Sequence, residues 1–360
     1  MNRNYASPCL TSLRPYRAGE QPAIAGLIKL NTNENPFPPS PKAVEAMVDA
    51  VSRGMELYPD PDAKLVCESV ADYYGLSPGE VFVGNGSDEV LAFAFCAFFQ
   101  QGNNPLLFAD VTYSFYDVYC RLYGIAKKLI PVDDRLGVDV DSFLSRRKGD
   151  IRIAGIVLAN PNAPTGEYLP LSDIERLLKA YPYAVVLVDE AYIDFGGQSA
   201  ACLIRHYPNL LVVQTLSKSR SLAGLRVGFA LGSEDLISSL RRVKDSFNSY
   251  PVSRVAQAGA VAAMNDLSYF NSTTASVISS RESFSAILRS LSFVVLPSRA
   301  NFLFAHHPHF AADILHQRLL EHKILVRHFS ADRISDFLRI SIGLDSQISS
   351  VEHALRNIVR

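Results

Sequence analysis

Six strand signals, at 81–83, 106–108, 126–131, 153–159, 184–188 and 210–215, alternate with segments of helical period. A run such as Ala184-Val185-Val186-Leu187-Val188 shows no polar alternation, which marks a strand buried on both faces. Strands of that kind separated by helices specify an α/β fold, a mainly parallel sheet flanked by helices. From about Pro251 the pattern changes to long helices around the strands Phe293–Leu296, Asn301–Phe304 and Phe337–Ile342. With 360 residues the chain has length for two domains. The expected division is an N-terminal arm over 1–28, a large domain over 29–250 and a smaller α+β domain over 251–360. Ser40-Pro41 reads as the N-cap and first turn of a helix that stops near Gly54. Ser172-x-x-Glu175 reads as a capping box opening a helix from Ile174 to Ala180.

The polar residues that follow these runs carry the chemistry. Lys218 sits between Ser217 and Ser219, shortly after Leu210–Val213, and Arg226 follows between Gly224 and Gly228. An amine at the exit of a buried strand, beside small hydroxyls and a guanidinium, suits the capture of a phosphorylated aldehyde as a Schiff base. Lys218 forms the imine while Ser217, Ser219 and Arg226 neutralise the phosphate. In isolation, Ser-Lys-Ser reads as a surface lysine.

Asp189 ends the run at 184–188, where a buried carboxylate needs a charged partner. The nitrogen of a pyridine ring is such a partner, and Tyr192, three residues on, could reach that ring's phenolic oxygen. Alone, Asp189 reads equally well as a loop cap. Asn160-Pro161-Asn162-Ala163-Pro164-Thr165-Gly166 is a rigid loop after another run. Val81-Phe82-Val83-Gly84-Asn85-Gly86-Ser87-Asp88-Glu89 reads as strand, turn and helix N-terminus, a phosphate cradle. Gly84-x-Gly86-x-x-Glu89 lacks the third glycine of a dinucleotide fingerprint, and no Walker A sequence occurs. All these motifs converge on the sheet's carboxyl edge, where open α/β sheets bind ligands.

Taken together, the chain resembles the fold-type I pyridoxal-phosphate aminotransferases, and among them the histidinol-phosphate aminotransferase family. The resemblance adds Leu13-Arg14-Pro15-Tyr16, Leu30-Asn31-Thr32-Asn33-Glu34-Asn35-Pro36, Tyr58-Pro59-Asp60, Thr112-Tyr113-Ser114, Ser298-Arg299-Ala300-Asn301-Phe302 and Leu338-Arg339-Ile340-Ser341-Ile342-Gly343, so it spans nearly the whole chain. It implies pyridoxal 5'-phosphate as cofactor, with Lys218 as the Schiff-base lysine and proton shuttle. Asp189 would pair with the pyridinium nitrogen, Tyr192 with the ring oxygen, and Tyr113 would stack on the ring. Gly86, Ser87 and Asp88 amides, with Ser217 and Arg226, would hold the phosphate. Tyr58 would reach that phosphate from the partner subunit, implying a homodimer with shared active sites. Arg339 would bind a substrate carboxylate, helped by Arg327, Asn33 and Tyr16. The family usually has Asn directly before Pro-Thr-Gly, where this chain has Ala163. Either Asn162 takes over the ring oxygen, or Tyr192 serves it alone.

The reaction so implied converts L-histidinol phosphate and 2-oxoglutarate to imidazole-acetol phosphate and L-glutamate, by a ping-pong route through pyridoxamine phosphate. Aromatic amino-acid transamination and threonine-phosphate decarboxylation are the alternatives on the same fold. A transcription regulator built on this fold would need an N-terminal DNA-binding domain, and the first motif at Tyr16 leaves no room for one.

Composition narrows the remainder. A net charge of −1 offers no bulk field for nucleic acid or anionic membrane. Cys9, Cys67, Cys96, Cys120 and Cys202 have no paired spacing, which reads as reduced thiols in a cytoplasmic protein. Met1 to Tyr5 show no apolar signal region. The longest apolar stretch, Val90 to Phe99, is short of the ~20 residues that span a bilayer and reads as a buried helix. His306-His307-Pro308-His309 lacks Cys or carboxylate at ligand spacing, so it reads as a strand end and turn, with no metal expected. Arg146-Arg147-Lys148 and Arg241-Arg242-x-Lys244 read as solvated helix ends.

Overall fold

All six strand signals form strands of one sheet, and a seventh strand joins them. The computed structural model describes residues 5–6, 10, 13–16, 18–146 and 152–359. In chain order its strands are β1 (Ile28–Lys29), β2 (Val81–Gly84), β3 (Leu106–Ala109), β4 (Lys127–Ile130), β5 (Gly155–Ala159), β6 (Val185–Asp189), β7 (Leu210–Thr215), β8 (Gly228–Gly232), β9 (Val294–Val295), β10 (Phe302–His306), β11 (Ile324–Leu325), β12 (Arg327–His328) and β13 (Leu338–Ser341). The large sheet has the order β2-β8-β7-β6-β5-β3-β4, with every pairing parallel except the two made by β8. Side chains alternate between its faces. Val186, Val188, Leu210 and Val212 pack into one core, while Leu187, Leu211 and Val213 pack into another on the opposite face. Each such side chain contributes roughly 1.5–3 kcal/mol by leaving water, so both faces must be roofed by helices.

β8 carries a glycine at each end, which hides it from an apolar-run search. The reason is steric: a Cβ on Gly228 would stand 2.3 Å from the Ser87 backbone nitrogen. Glycine inside a strand marks such a close backbone approach.

The helix Pro41–Ser52 begins after Ser40, but the Ser40 hydroxyl goes to Asp266 Oδ2 and caps nothing. The capping box at Ser172 does not form. The helix runs Leu171–Ala180 after Pro170, so Ser172 lies inside the first turn, and Glu175 accepts instead from the Tyr207 hydroxyl at 2.9 Å. Leu171, partly buried against the core, pulls the start of the helix forward. The Arg241–Lys244 segment is also less solvated than its charge suggests. Arg241 Nη2 donates to Val81 O at 3.2 Å, and Lys244 is 2% exposed with its amine on Pro61 O. Arg147 and Lys148, like Met1 to Asn4, lie outside the described residues.

A second core surrounds the antiparallel sheet β12-β13-β10-β9. The helix Arg254–Asn265 places Ala256, Ala260, Ala263 and Met264 in the first core, and Leu267–Ser290 carries Val277, Phe284 and Leu288 into the second. The two cores therefore part at the junction of these helices, at Asp266. Near the other end of the chain, β1 pairs with β11 and Leu30 enters the second core, so the segment after it crosses between the two units at the sheet's carboxyl edge. Among the described residues, no helix is long and apolar enough to cross a membrane.

Candidate active site

β6 and β7 are parallel neighbours, and their carboxyl ends deliver Asp189 and, through the loop after Thr215, Lys218. That loop is closed by Leu222 N donating to Leu216 O at 3.0 Å. Lys218 Nζ donates to Thr32 O at 3.1 Å and stands 5.8 Å from the Tyr192 ring centroid. Asp189 is 5% exposed and accepts from the Tyr116 hydroxyl at 2.8 Å and from Ala191 N at 3.3 Å. Burial pushes its carboxyl up to about 6, against the pull of the Tyr116 hydrogen bond. A carboxylate so desolvated is poised for a cationic partner. Glu190 points into a different network, accepting from Ser199 Oγ at 2.6 Å, Ala200 N at 2.7 Å and Gln214 Nε2 at 2.8 Å. Burial pushes Glu190 up to about 7.

The cradle forms where β2 runs into the helix Gly86–Ala94. The first amides of that helix, from Gly86, Ser87 and Asp88, have no acceptor of their own within it. Gly86 has φ +82°, and a Cβ there would lie 2.6 Å from Arg226 Nη2. Arg226 therefore closes directly over the helix start, its Nη2 3.0 Å from Asp88 Oδ2. Asp88 Oδ1 accepts from the Tyr113 hydroxyl at 3.1 Å. The buried Ser217 hydroxyl accepts from Thr215 Oγ1 at 2.9 Å. Tyr113 meets Tyr116 edge-on at 5.6 Å, and burial pushes its phenol far above the usual value.

The segment Asn31–Asn33 gathers the rest. Asn31 O accepts from Arg339 Nη2 at 3.0 Å, and Thr32 O accepts from Lys218. Asn33 Nδ2 donates to the Tyr192 hydroxyl at 2.9 Å. Asn33 has φ 55°, a left-handed conformation that asparagine tolerates. It is held by Ser341 Oγ, which accepts from its backbone N at 2.9 Å, and by Asn301 Nδ2, which donates to its carbonyl at 3.0 Å. Arg327 stands directly opposite Arg339 in the β12–β13 register, so both guanidiniums share a sheet face. Both flank Phe329, at 5.7 Å and 5.6 Å. Arg339 Nε is buried without a hydrogen-bond partner among the described residues, and burial pulls its pKa down. Tyr16 stacks on Phe115 at 4.8 Å and turns an edge to Tyr113 at 6.2 Å.

Three residues sit apart from this cluster. The Asn162 amide is spent within its own surroundings, donating to Val111 O at 3.0 Å and Thr165 Oγ1 at 3.1 Å while accepting from Thr112 Oγ1 at 2.8 Å. The amide on Tyr192 is that of Asn33. Ser219 turns away from Arg226 and donates to Asp194. Tyr58 is 79% exposed and stacks on Tyr250 at 4.7 Å. Sequence reasoning missed Tyr116, whose hydroxyl holds Asp189, and the carbonyls of Asn31 and Thr32. Backbone acceptors leave no sequence signal; Tyr116 lies one helical turn after Tyr113, a spacing that could have raised it. The histidine segment behaves as a strand end and turn, with His309 N on His307 Nδ1 at 3.2 Å. No cluster of metal-ligating side chains occurs among the described residues.

An aspartate ending one strand, a lysine in the loop after its neighbour and a glycine-built cradle are the arrangement an aminotransferase-type centre needs on an α/β sheet. The fold agrees. It matches the structure of histidinol-phosphate aminotransferase from Sinorhizobium meliloti in complex with pyridoxal-5'-phosphate at TM-score 0.89 and 24% identity, over 100% of this chain and 98% of that one. A Thermus thermophilus aspartate aminotransferase mutant matches at TM-score 0.83 and 20% identity, over 99% of both chains. The chain belongs to the aminotransferase class I and II family, whose profile matches residues 25–358. It is 54% identical over 356 residues to a histidinol-phosphate aminotransferase of Aromatoleum aromaticum, covering 99% of both chains. It is also 54% identical over 349 residues to histidinol-phosphate aminotransferase 1 of Pseudomonas aeruginosa, covering 97% of both.

Proposed function

We propose that the protein is a pyridoxal-phosphate-dependent transaminase that moves the amino group of L-histidinol phosphate to 2-oxoglutarate, within histidine biosynthesis. The residues fit the cofactor. Glycines at 86 and 228 leave the cradle space that a Cβ would fill, three amides and Arg226 supply anion donors, and Asp189 offers a buried charge for a ring nitrogen. When bound, pyridoxal 5'-phosphate supplies an aldehyde that amines capture reversibly and a ring that takes up the electron pair of the substrate α-carbon.

The chain's own groups do the rest. Lys218 holds and moves the α-proton at its Nζ. Asp189, buried at the end of β6, would hold a proton on the ring nitrogen. Asn33 holds the Tyr192 hydroxyl, which would serve the ring oxygen, and Tyr113 would cover the ring.

The observation that carries the substrate reading is the Arg327–Arg339 pair, set in register with a buried, unpartnered donor on Arg339. The enzyme must take in turn a phosphate monoester without a carboxylate and a dicarboxylate without a phosphate, and two planar guanidiniums accommodate both. Tyr16 adds an aromatic wall for the imidazole.

A homodimer is part of the same reading. Val44, Val48 and Val51 are exposed on one face of the helix Pro41–Ser52, continuous in sequence with exposed Met55, Leu57 and Tyr58. Such an apolar surface on a soluble enzyme suits a second copy of the chain, whose Tyr58 would complete the phosphate site. The four cysteines of the described residues are unpaired, which supports a cytoplasmic setting.

Steady-state kcat/KM for histidinol phosphate, phenylalanine and O-phosphothreonine, with 2-oxoglutarate dependence and carbon dioxide both followed, tests the reading. Histidinol phosphate should win, with no gas released. A higher value for phenylalanine makes the protein an aromatic transaminase; carbon dioxide from O-phosphothreonine makes it a decarboxylase.

A further inference from the structure

Arg220, two residues after Lys218, is 7% exposed. Its guanidinium lies 3.7 Å from the Phe270 ring centroid and 5.4 Å from that of Tyr73. Nη1 donates to Ala263 O at 2.6 Å and reaches Met264 O at 3.5 Å. Those carbonyls belong to the last turn of the helix Arg254–Asn265, whose final acceptors have no partner within the helix. A cation there also meets the negative end of the helix dipole. Among the described residues no carboxylate stands within ion-pair reach of Arg220, and Asp194 is the opposite charge that acts on it most strongly.

Burying a guanidinium on carbonyls and aromatic rings, with no carboxylate in ion-pair contact, is costly. An apolar side chain would fill the place between Phe270 and Tyr73 without that cost, so what the guanidinium adds is direction. Consecutive side chains of this loop reach three different elements. Lys218 goes to Thr32 O, Ser219 to the Asp194 carboxylate, and Arg220 to the helix end at Ala263. Asn35 Nδ2 holds the Lys218 carbonyl at 2.9 Å from a fourth side. The helix end that Arg220 grips lies at the Asp266 junction, from which the second core hangs.

We propose that Arg220 is a positioning residue for Lys218: by capping the helix at Ala263 and Met264 it fixes the loop that aims the amine. Ser219 with Asp194 is the matching tie on the loop's other side. The inference rests on Lys218 being the reacting amine of the proposed transaminase. Loss of the tie leaves the Arg339 and cradle contacts in place, so substrates still bind while the amine is misaimed. Misplacement of a reacting group by about an ångström can cost on the order of 100-fold in rate.

The test uses holoenzyme of the wild type, Arg220→Met and Arg220→Lys. Borohydride reduction of the wild type comes first, and label on a lysine other than Lys218 overturns the transaminase site and this inference together. With label on Lys218, Arg220→Met should lower kcat by about tenfold or more while KM for both substrates stays within about twofold. Arg220→Lys, which keeps a donor for the helix end, should recover part of the loss. A kcat for Arg220→Met within about twofold of wild type overturns this inference alone, even if Tm falls. If Arg220→Met does not fold, Ser219→Ala carries the test. It should lower kcat severalfold at unchanged KM, and an unchanged kcat overturns the proposal.

Discussion

Asp189 ends β6 and Glu190 follows it directly; both are buried, but their carboxylates enter different surroundings. Asp189 keeps the company of one phenol and one amide; Glu190 is saturated by three donors. Asp189 is thus the one with capacity left for a cation. Asp189→Asn keeps the shape and removes the charge, so turnover should fall by on the order of 10²–10³ while bound cofactor keeps its visible band. Near-normal kcat would reduce Asp189 to a loop former. Glu190 speaks through stability, in the same direction as Asp189, whose carboxyl burial also raises. The Glu190 carboxyl rises from the ordinary 4.5 to about 7 in the folded protein, so the folded state holds more protons than the unfolded chain across that window. Stability contributed by the protonated form is present below about 4.5 and is lost as pH rises through about 7. Denaturant unfolding of the cofactor-free protein should show this decline, and Glu190→Gln should flatten it; an equal slope in the variant would refute the assignment. Arg339→Lys should weaken binding of both glutamate and histidinol phosphate by roughly 1.5–3 kcal/mol each, since a point charge cannot replace a fork. A loss confined to one substrate, read from KM, would mean the two anions bind at separate places.

At the scale of elements, continuous apolar runs named the interior strands because a strand buried on both faces reads that way, while the edge strand β4, with Lys127 and Lys128, is half exposed. β8 escaped for the opposite reason: its Gly228 is required by a neighbour, the Ser87 backbone, that only folding brings close. The same contact predicts that Gly228→Ala, by pushing the helix start away, weakens cofactor affinity by about tenfold or more, on the scale of one charged hydrogen bond lost. Spectroscopic titration with pyridoxal 5'-phosphate measures it, and an unchanged Kd would mean the phosphate sits elsewhere. The capping box at Ser172 misled because a local motif competes with burial, and here Leu171 packing against the core decided where the helix begins.

For the whole molecule, the exposed apolar face of the helix Pro41–Ser52 makes the second subunit a structural expectation. Val48, 62% exposed at the middle of that face, is the place to break it. Val48→Asp should yield monomers by sedimentation and lose transaminase activity although each chain keeps Lys218 and Asp189. A fully active monomer would show that one chain suffices. The sequence by itself determined six strands of the large sheet and singled out Gly86, Asp189 and Lys218, because each answers a local demand: a buried run, a turn into a helix, a polar group after a strand end. Asn33, named only through resemblance, shows the other side. Its left-handed backbone and its bond to Tyr192 depend on Ser341 and Asn301, which arrive from the far end of the chain. The carbonyls of Asn31 and Thr32, the Tyr116 hydroxyl on Asp189 and the grip of Arg220 on Ala263 were decided by tertiary structure alone. Hydrogen bonds between distant segments, and to backbone atoms that every residue shares, leave no trace in sequence until packing sets their distance and direction.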